Sequence, residues 1–337
     1  MSSAKYILGF ESTAHTFSAS VVKITGKKIE ILSNVLDKFP PSKQGFIPRE
    51  LADHHATAFP VVLRTALNDA DVKLEEISAV AYSQGAGIGH SLHVGYVAAT
   101  SIATALRVPL VPVNHGIAHI EITRKDCATK NPLVLYVSGG NTQILTKQKD
   151  AYHVYGETLD MGVGNMLDNL GRLLELEIPD AVGVASEAAK KTVKYVECPY
   201  SVKGMNVSFT GMLTYTEKKL VPLIKKKEIT ASDVCFSIQE TAFAMLCEIT
   251  ERALCHTNAK EIILCGGNAR NKRLQQMLIA MSQAHGVKVV IPPFEYAGDN
   301  AAMITYTAAQ MLVHKTKLPS DISPEQKMRT DDAVVNW

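Results

Sequence analysis

Short apolar runs and longer stretches of helical period alternate along this chain, the pattern of an α/β fold. Tyr6 to Phe10, Thr16 to Ile24 and Lys28 to Leu36 read as an antiparallel opening meander. Pro48 to Ala70 reads as a helix, with Pro48 suited to its first turn. Ile77 to Ser83 is a strand and His90 to Leu106 a helix, and the apolar run Val108 to Val113 is a buried strand. A second strand-rich unit follows, with strands at Pro132 to Val137, Thr142 to Lys147 and Tyr152 to Tyr155. Helices are expected at Met161 to Leu176, Glu187 to Lys194 and Ser232 to His256. The chain then gives strand Glu261 to Cys265, helix Asn271 to Ala284, strand Val287 to Ile291 and a last long helix from Gly298 to Val313.

The two halves echo each other. Leu8 to Thr16 is strand, small polar turn, strand, and so is Val134 to Ile144, whose turn is Ser138-Gly139-Gly140-Asn141. A turn of Ser, Gly and Thr exposes backbone N–H groups and hydroxyls and can cradle a phosphate. Two of them opening successive units point to a duplicated fold with a nucleotide between two lobes. A third Gly-rich turn, Cys265 to Ala269, lies between a strand and a helix, where backbone can approach a nucleotide closely. The expected lobes are 1–130 and 131–304, with a C-terminal helix, 305–337, packing back on the first.

One motif carries metal chemistry. In Asn114-His115-Gly116-Ile117-Ala118-His119 two histidines stand four apart at the start of a helix, so both imidazoles project from one face. That spacing gives one metal ion two nitrogen ligands. A metalloprotease would carry a glutamate directly after the first histidine, and Gly116 stands there, so that general base is absent.

Composition narrows the class. The 337 residues, 46% hydrophobic and 20% charged, suit one large or two medium globular domains. No apolar run approaches the roughly 18 residues of a membrane span, and the N-terminus enters a strand without a signal-like core, so the chain reads as cytoplasmic, with no membrane partner. The six cysteines form no CxxC pair and read as free thiols of a reducing compartment. A net charge of +2 neither demands nor excludes nucleic acid, although local clusters (Lys190, Lys191 and Lys194; Lys218 and Lys219; Lys225, Lys226 and Lys227) could meet phosphates.

Taken in order, these motifs resemble the universal tRNA threonylcarbamoyladenosine synthesis family, also known as O-sialoglycoprotein endopeptidase homologues. The resemblance runs through Gly9 to Thr16, Pro48-Arg49-Glu50 with His54-His55-Ala56, Gln84 to Gly89, Asn114 to Glu121, Leu135 to Gln143, Gly156 to Asp160, Lys203-Gly204-Met205, Gln239 to Phe243 and Gly298-Asp299-Asn300. The Thr-Ala-His-Thr turn and the tyrosine before Val-Ser-Gly-Gly are similar to the archaeal branch. The resemblance implies the duplicated two-lobe fold of actin, Hsp70 and sugar kinases. It also implies transfer of a threonylcarbamoyl group from threonylcarbamoyl-AMP to the exocyclic amine of adenosine 37 in tRNA, with release of AMP.

By that resemblance His115, His119 and Asp299 are catalytic metal ligands, and Tyr136 is a fourth ligand. Such a set favours iron, with zinc also compatible. Ser138, Gly139, Gly140 and Asn141 would surround the phosphate of the ATP- or AMP-type nucleotide. Asp168 matches a ribose- or nucleotide-contacting position, and Asn271 an adenosine-contacting one. The implied partners are tRNA, threonylcarbamoyl-AMP, and the small kinase-like ATPase and accessory subunits of the KEOPS assembly.

The chain also departs from the pattern. The family's Gly-Gly-Pro turn and following glutamate are replaced by Asp180-Ala181-Val182 and Ala185. Ala86, His90 and His93 replace prolines and an arginine of the loop near residue 85, Gly116 replaces a cysteine, and Asn268 replaces a small apolar residue. Weaker nucleotide binding is therefore an expectation. The competing readings are a non-catalytic scaffold of the same assembly, carbamoyl transfer to another acceptor, and a plain ATPase or sugar kinase, which the histidine pair disfavours.

Overall fold

The computed structural model describes residues 4–40 and 45–337. Two five-stranded mixed sheets are built to one plan. The first comprises β1 (Lys5–Glu11), β2 (Thr16–Thr25), β3 (Lys28–Lys38), β4 (Ile77–Gly85) and β5 (Leu110–Asn114), ordered β3-β2-β1-β4-β5. The second comprises β6 (Leu133–Val137), β7 (Thr142–Gln148), β8 (Ala151–Glu157), β11 (Glu261–Cys265) and β12 (Lys288–Val290), ordered β12-β11-β6-β7-β8. In each, an antiparallel meander of three strands precedes two parallel ones. A small hairpin, β9 (Val202–Lys203) and β10 (Asn206–Val207), stands apart. The duplication expected from the two echoing turns is thus present in the register.

Helices α1 (Pro48–Asp69) and α2 (Gly89–Leu106) pack against each other beside the first sheet. In the second lobe α4 (Val163–Leu173), α5 (Ala181–Ala188), the short α6 (Thr210–Tyr215) and α7 (Val221–Lys225), α8 (Ala231–Thr257) and α9 (Lys272–Ala284) surround the second sheet. Thr230 caps α8 reciprocally with Asp233 in a capping box. The short α10 (Phe294–Ala297) leads to α11 (Ala301–Val313), which lies on β1, β2 and β3.

Helix α3 (His115–Arg124) sits between the lobes. Its Ala118 and Ile122 join the core formed by the first sheet and α11, while Ile117 and Ile120 join a core with Val134, Tyr136 and Ile263 of the second. Residues 115–123 are all buried, which explains why the segment lacks an amphipathic stripe.

Two expectations need correction. The helix placed at Glu187 to Lys194 lies instead at Ala181–Ala188, because the Asp180 carboxylate accepts from the N–H groups of Val182 and Gly183 and starts it there. The stretch 305–337, expected as a helix, is helical only to Val313. Lys315 turns left-handed at φ 54°, Thr316 donates its N–H to the Met311 carbonyl, and Pro319 follows. Beyond it the chain runs as an extended strap with one short helical turn at Thr330–Asp332.

Candidate active site

The interlobe cleft, about 1710 Å³, is bounded by both hairpin turns, the first turn of α3, the start of α4 and α5, and the strap. His115 and Asp299 line it, and the buried His119 lies beside them, with one ligating atom of each of the three within 4.8 Å of the others. Sequence places the histidines four apart, and the Asn114 side chain caps the helix that carries them by accepting from Ile117 N–H at 3.1 Å. Asp299 arrives from the other side, immediately before α11.

The two histidines have different surroundings. His115 Nδ1 lies 3.0 Å from the Glu11 carboxylate and 3.2 Å from Thr13 Oγ1, while its Nε2 is 3.7 Å from Asp299. Glu11, itself fully buried, also accepts from Thr13 N–H at 2.6 Å. In the neutral ring, donation from Nδ1 to Glu11 puts the lone pair on Nε2, the atom that faces Asp299. Burial disfavours the charged ring, but the Glu11 charge and hydrogen bond outweigh it and raise the His115 pKa to about 9. His119 sits 3.2 Å from Asp299 through Nε2, and its Nδ1 has no hydrogen-bond partner among the described residues. Burial lowers its pKa, with the Asp299 hydrogen bond opposing. Burial alone would raise the pKa of Asp299, yet the histidines hold the carboxyl well below its usual range.

Tyr136, on β6, presents its ring 5.6 Å from that of His119, and its buried hydroxyl makes no well-formed hydrogen bond among the described residues. Burial raises its pKa. A buried phenol and a buried imidazole nitrogen left unpaired cost free energy unless something else satisfies them. Two imidazoles and a carboxylate are donor types that suit a transition-metal ion, and a phenol stands beside them.

The second hairpin turn differs. Ser138 N–H bonds the Asn141 carbonyl at 2.8 Å, and Asn141 N–H bonds Ser138 Oγ at 3.0 Å. Gly139 and Gly140 are exposed and, among the described residues, donate no backbone hydrogen bond. The start of α4 packs directly against them, Gly164 and Asn165 donating to the Ser138 and Gly139 carbonyls at 3.2 and 3.0 Å. Free N–H groups beside a helix N-terminus suit an anion.

Asp168 and Asn271 also line the cleft. Asp168 accepts from Ala181 N–H at 2.8 Å and so anchors the segment that replaces the Gly-Gly-Pro turn; burial raises its pKa. Asn271 caps α9, accepting from Arg273 and Leu274, and donates to Gln239 at 3.0 Å. Both ends of its amide are therefore engaged. Of the three lysine clusters, none borders the cleft. Sequence reasoning gave no role to Glu11, Thr13 or the strap residues 326–330; the acid ending an otherwise apolar strand was the one visible signal for Glu11. No helix among the described residues is long and apolar enough to cross a membrane.

Two solved structures share this architecture at low sequence identity. Full-length HypF in its phosphate- and nucleotide-bound form aligns with TM-score 0.62 and 13% identity, over 92% of this chain and 55% of that one. Component A of the (R)-2-hydroxyglutaryl-CoA dehydratase of Acidaminococcus fermentans aligns with TM-score 0.51 and 15% identity, over 90% and 99%. These likenesses concern the fold, the two-lobe α/β fold of actin, Hsp70 and sugar kinases, with a cleft between duplicated sheets.

The family model described as TsaD, tRNA N6-adenosine threonylcarbamoyltransferase, matches residues 30–306. The tRNA N6-adenosine threonylcarbamoyltransferase of Thermococcus kodakarensis is 43% identical over 331 residues, 98% of this chain and 99% of its own. That of Danio rerio is 40% identical over 335 residues, 98% of each chain. The chain belongs to this transferase family, whose members use a divalent metal and a nucleotide-type substrate. His115, His119 and Asp299 form a cluster that could hold such a metal.

Proposed function

We propose that this chain transfers the threonylcarbamoyl group of threonylcarbamoyl-AMP to the exocyclic amine of adenosine 37 in tRNA, in the cleft described above. The observation that carries the reading is the meeting, at one cleft, of a His–His–Asp cluster, with a buried phenol beside it, and a turn whose Gly139 and Gly140 N–H groups go undonated among the described residues. The first fits a metal and the second a phosphate. A plain sugar kinase needs no such histidine pair.

The amine of adenine is a poor nucleophile, because its lone pair is delocalised into the ring. In the transfer, N6 forms a bond to the carbamoyl carbon, the carbon–oxygen bond to phosphate breaks with its electron pair leaving on AMP, and one N6 proton passes to water. The N–H groups of Gly139 and Gly140 hold the phosphate and stabilise the charge that grows on it as AMP departs. The packed start of α4 fixes that turn, so donor and acceptor meet in a set geometry. His115, His119, Asp299 and Tyr136 would hold the metal, with Glu11 orienting His115. When bound, the metal supplies Lewis-acid polarisation of the carbonyl or phosphoryl oxygen. The phenol makes iron our preferred ion over zinc.

Asp168 and Asn271 serve in this reading by shaping the nucleotide side of the cleft, Asp168 through Ala181 and Asn271 through Gln239. We place the reaction in the cytoplasm, alongside a small kinase-like ATPase and accessory subunits of the KEOPS type. Relatives in two methanogens, named as bifunctional threonylcarbamoyladenosine biosynthesis proteins, have this chain's match in 60% of their length, which supports a partner activity working next to this one.

The test is a reconstitution with threonine, bicarbonate, ATP, a carbamoyl-adenylate synthase, the partner subunits and unmodified tRNA. Mass spectrometry of the digested tRNA should show threonylcarbamoyladenosine. Absence of product with adenylate still bound would transfer the reading to another acceptor, and absence of both would leave a scaffold.

A further inference from the structure

The strap that ends the chain does more than cover the cleft. On the first-lobe side Gln84 donates to the Asp321 and Ser323 carbonyls, both at 3.1 Å, and Glu325 N–H returns a bond to the Gln84 carbonyl at 2.8 Å. On the second-lobe side Val335 N–H reaches the Asp150 carbonyl at 2.7 Å. Between these anchors residues 326–330 of the strap line the cleft.

Thr330 is the residue at the crossing. It is 4% exposed. Its hydroxyl donates to Gln143 Oε1 at 2.9 Å, two residues beyond the Asn141 end of the turn. Its methyl faces Gly116, between the two histidines: a Cβ added there would stand 2.4 Å from Thr330 Cγ2. The preceding carbonyl, of Arg329, accepts from Asn114, the cap of α3, at 2.7 Å. Gln143 in turn donates to Glu157 at 3.2 Å, which the Arg329 guanidinium faces at 3.6 Å. The ring of contacts therefore closes on both lobes.

We infer that Thr330 is a positioning residue, which sets helix α3, and with it His115 and His119, against the Ser138–Asn141 turn. The inference rests on the reading of the cleft as the transfer site. It also gives the bare Gly116 a physical reason: the space a side chain would take there is filled by Thr330. An error of an ångström between two parts of a site costs about a hundredfold in rate, so a bolt at this point matters.

The test is a pair of substitutions and their combination. Gly116→Ala drives a methyl into Thr330 and should lower both kcat, about tenfold or more, and metal retention against a fixed chelator concentration. Thr330→Ser removes the opposing methyl and keeps the hydroxyl. Added to Gly116→Ala, it should raise kcat at least about fivefold over the single variant, and restore metal retention against a fixed chelator concentration. Thr330→Val keeps the shape and loses the bond to Gln143, and should lower kcat more than it changes KM for the adenylate. Equal impairment of Gly116→Ala with and without Thr330→Ser, or wild-type kcat and metal retention in Thr330→Val, would overturn the inference. Metal retention is read without turnover. A wild type that makes no product therefore counts against the transferase reading, while the rescue still decides the role of Thr330.

Discussion

The turns β1–β2 and β6–β7 occupy the same place in two sheets of the same strand order, yet they do different things. The first is filled from within. Glu11 ends β1 fully buried, takes the Thr13 N–H and reaches His115, and Ser12 N–H is spent on Ser83 Oγ. The second is left open, with Gly139 and Gly140 exposed to the cleft. One carboxylate thus converts a potential anion cradle into support for a cation site, since a buried negative charge repels phosphate and orients an imidazole. Duplication supplied two equivalent turns, and a single acid distinguishes them.

That contrast can be broken from either side. Replacing Glu11 by alanine leaves His115 Nδ1 with only the Thr13 hydroxyl, and should weaken metal affinity by about 10–100-fold with adenylate binding little changed, as measured by chelator competition. On the other turn, Gly162→Ala would place a Cβ 2.4 Å from the Gly139 carbonyl oxygen. It should cut adenylate affinity by about tenfold, read by calorimetry, and leave the metal content alone. If either substitution moves both quantities equally, the two turns are not separable.

A smaller effect concerns the altered nucleotide edge. Asp180 lines the cleft and spends its carboxylate on the N-terminus of α5. Asp180→Asn keeps an oxygen for the cap and removes the charge, so adenylate should bind about threefold tighter, an effect that fades in high salt. Unchanged affinity at low salt would show that this edge does not sense the nucleotide.

A separate effect, on stability rather than on binding, concerns the first turn alone. His55 is buried, and its Nε2 donates to the Ala14 carbonyl within that turn at 2.9 Å. Burial lowers its pKa from 6.5 to about 4, the Ala14 bond opposing. A base depressed in the folded state stabilises fully above its unfolded pKa. That stability is lost as pH falls from about 6.5 towards 4, at no more than about 1.4 kcal/mol per pH unit. Urea unfolding at pH 7 and pH 5 should show a steeper loss for wild type than for His55→Gln, and equal slopes would remove His55 from the account.

Most of the fold was legible because the strands are apolar runs of ordinary length and the two halves repeat one order. The metal group was half legible. His115 and His119 are a local pattern, whereas Asp299 comes from 180 residues away and rested on resemblance. Glu11 could not be assigned, because its partner is chosen by the parallel pairing of β1 with β4 and of β4 with β5, which brings it beside α3. The strap was misread as helix for a related reason. Its backbone bonds go to Gln84, Gly87 and Asp150 rather than to itself, and nothing in a local window reveals such partners. The start of α5 was missed because Asp180, seen as the loss of a glycine, is a cap.

The claim on which the rest depends is that His115, His119, Asp299 and Tyr136 are one metal centre. The direct measurement is the metal-to-protein ratio of the chain purified without chelator, by inductively coupled plasma mass spectrometry, for wild type and His119→Ala. Wild type should carry about one transition-metal ion per chain and His119→Ala almost none, with the variant's circular dichroism spectrum preserved. A folded His119→Ala that retains the full complement would contradict it.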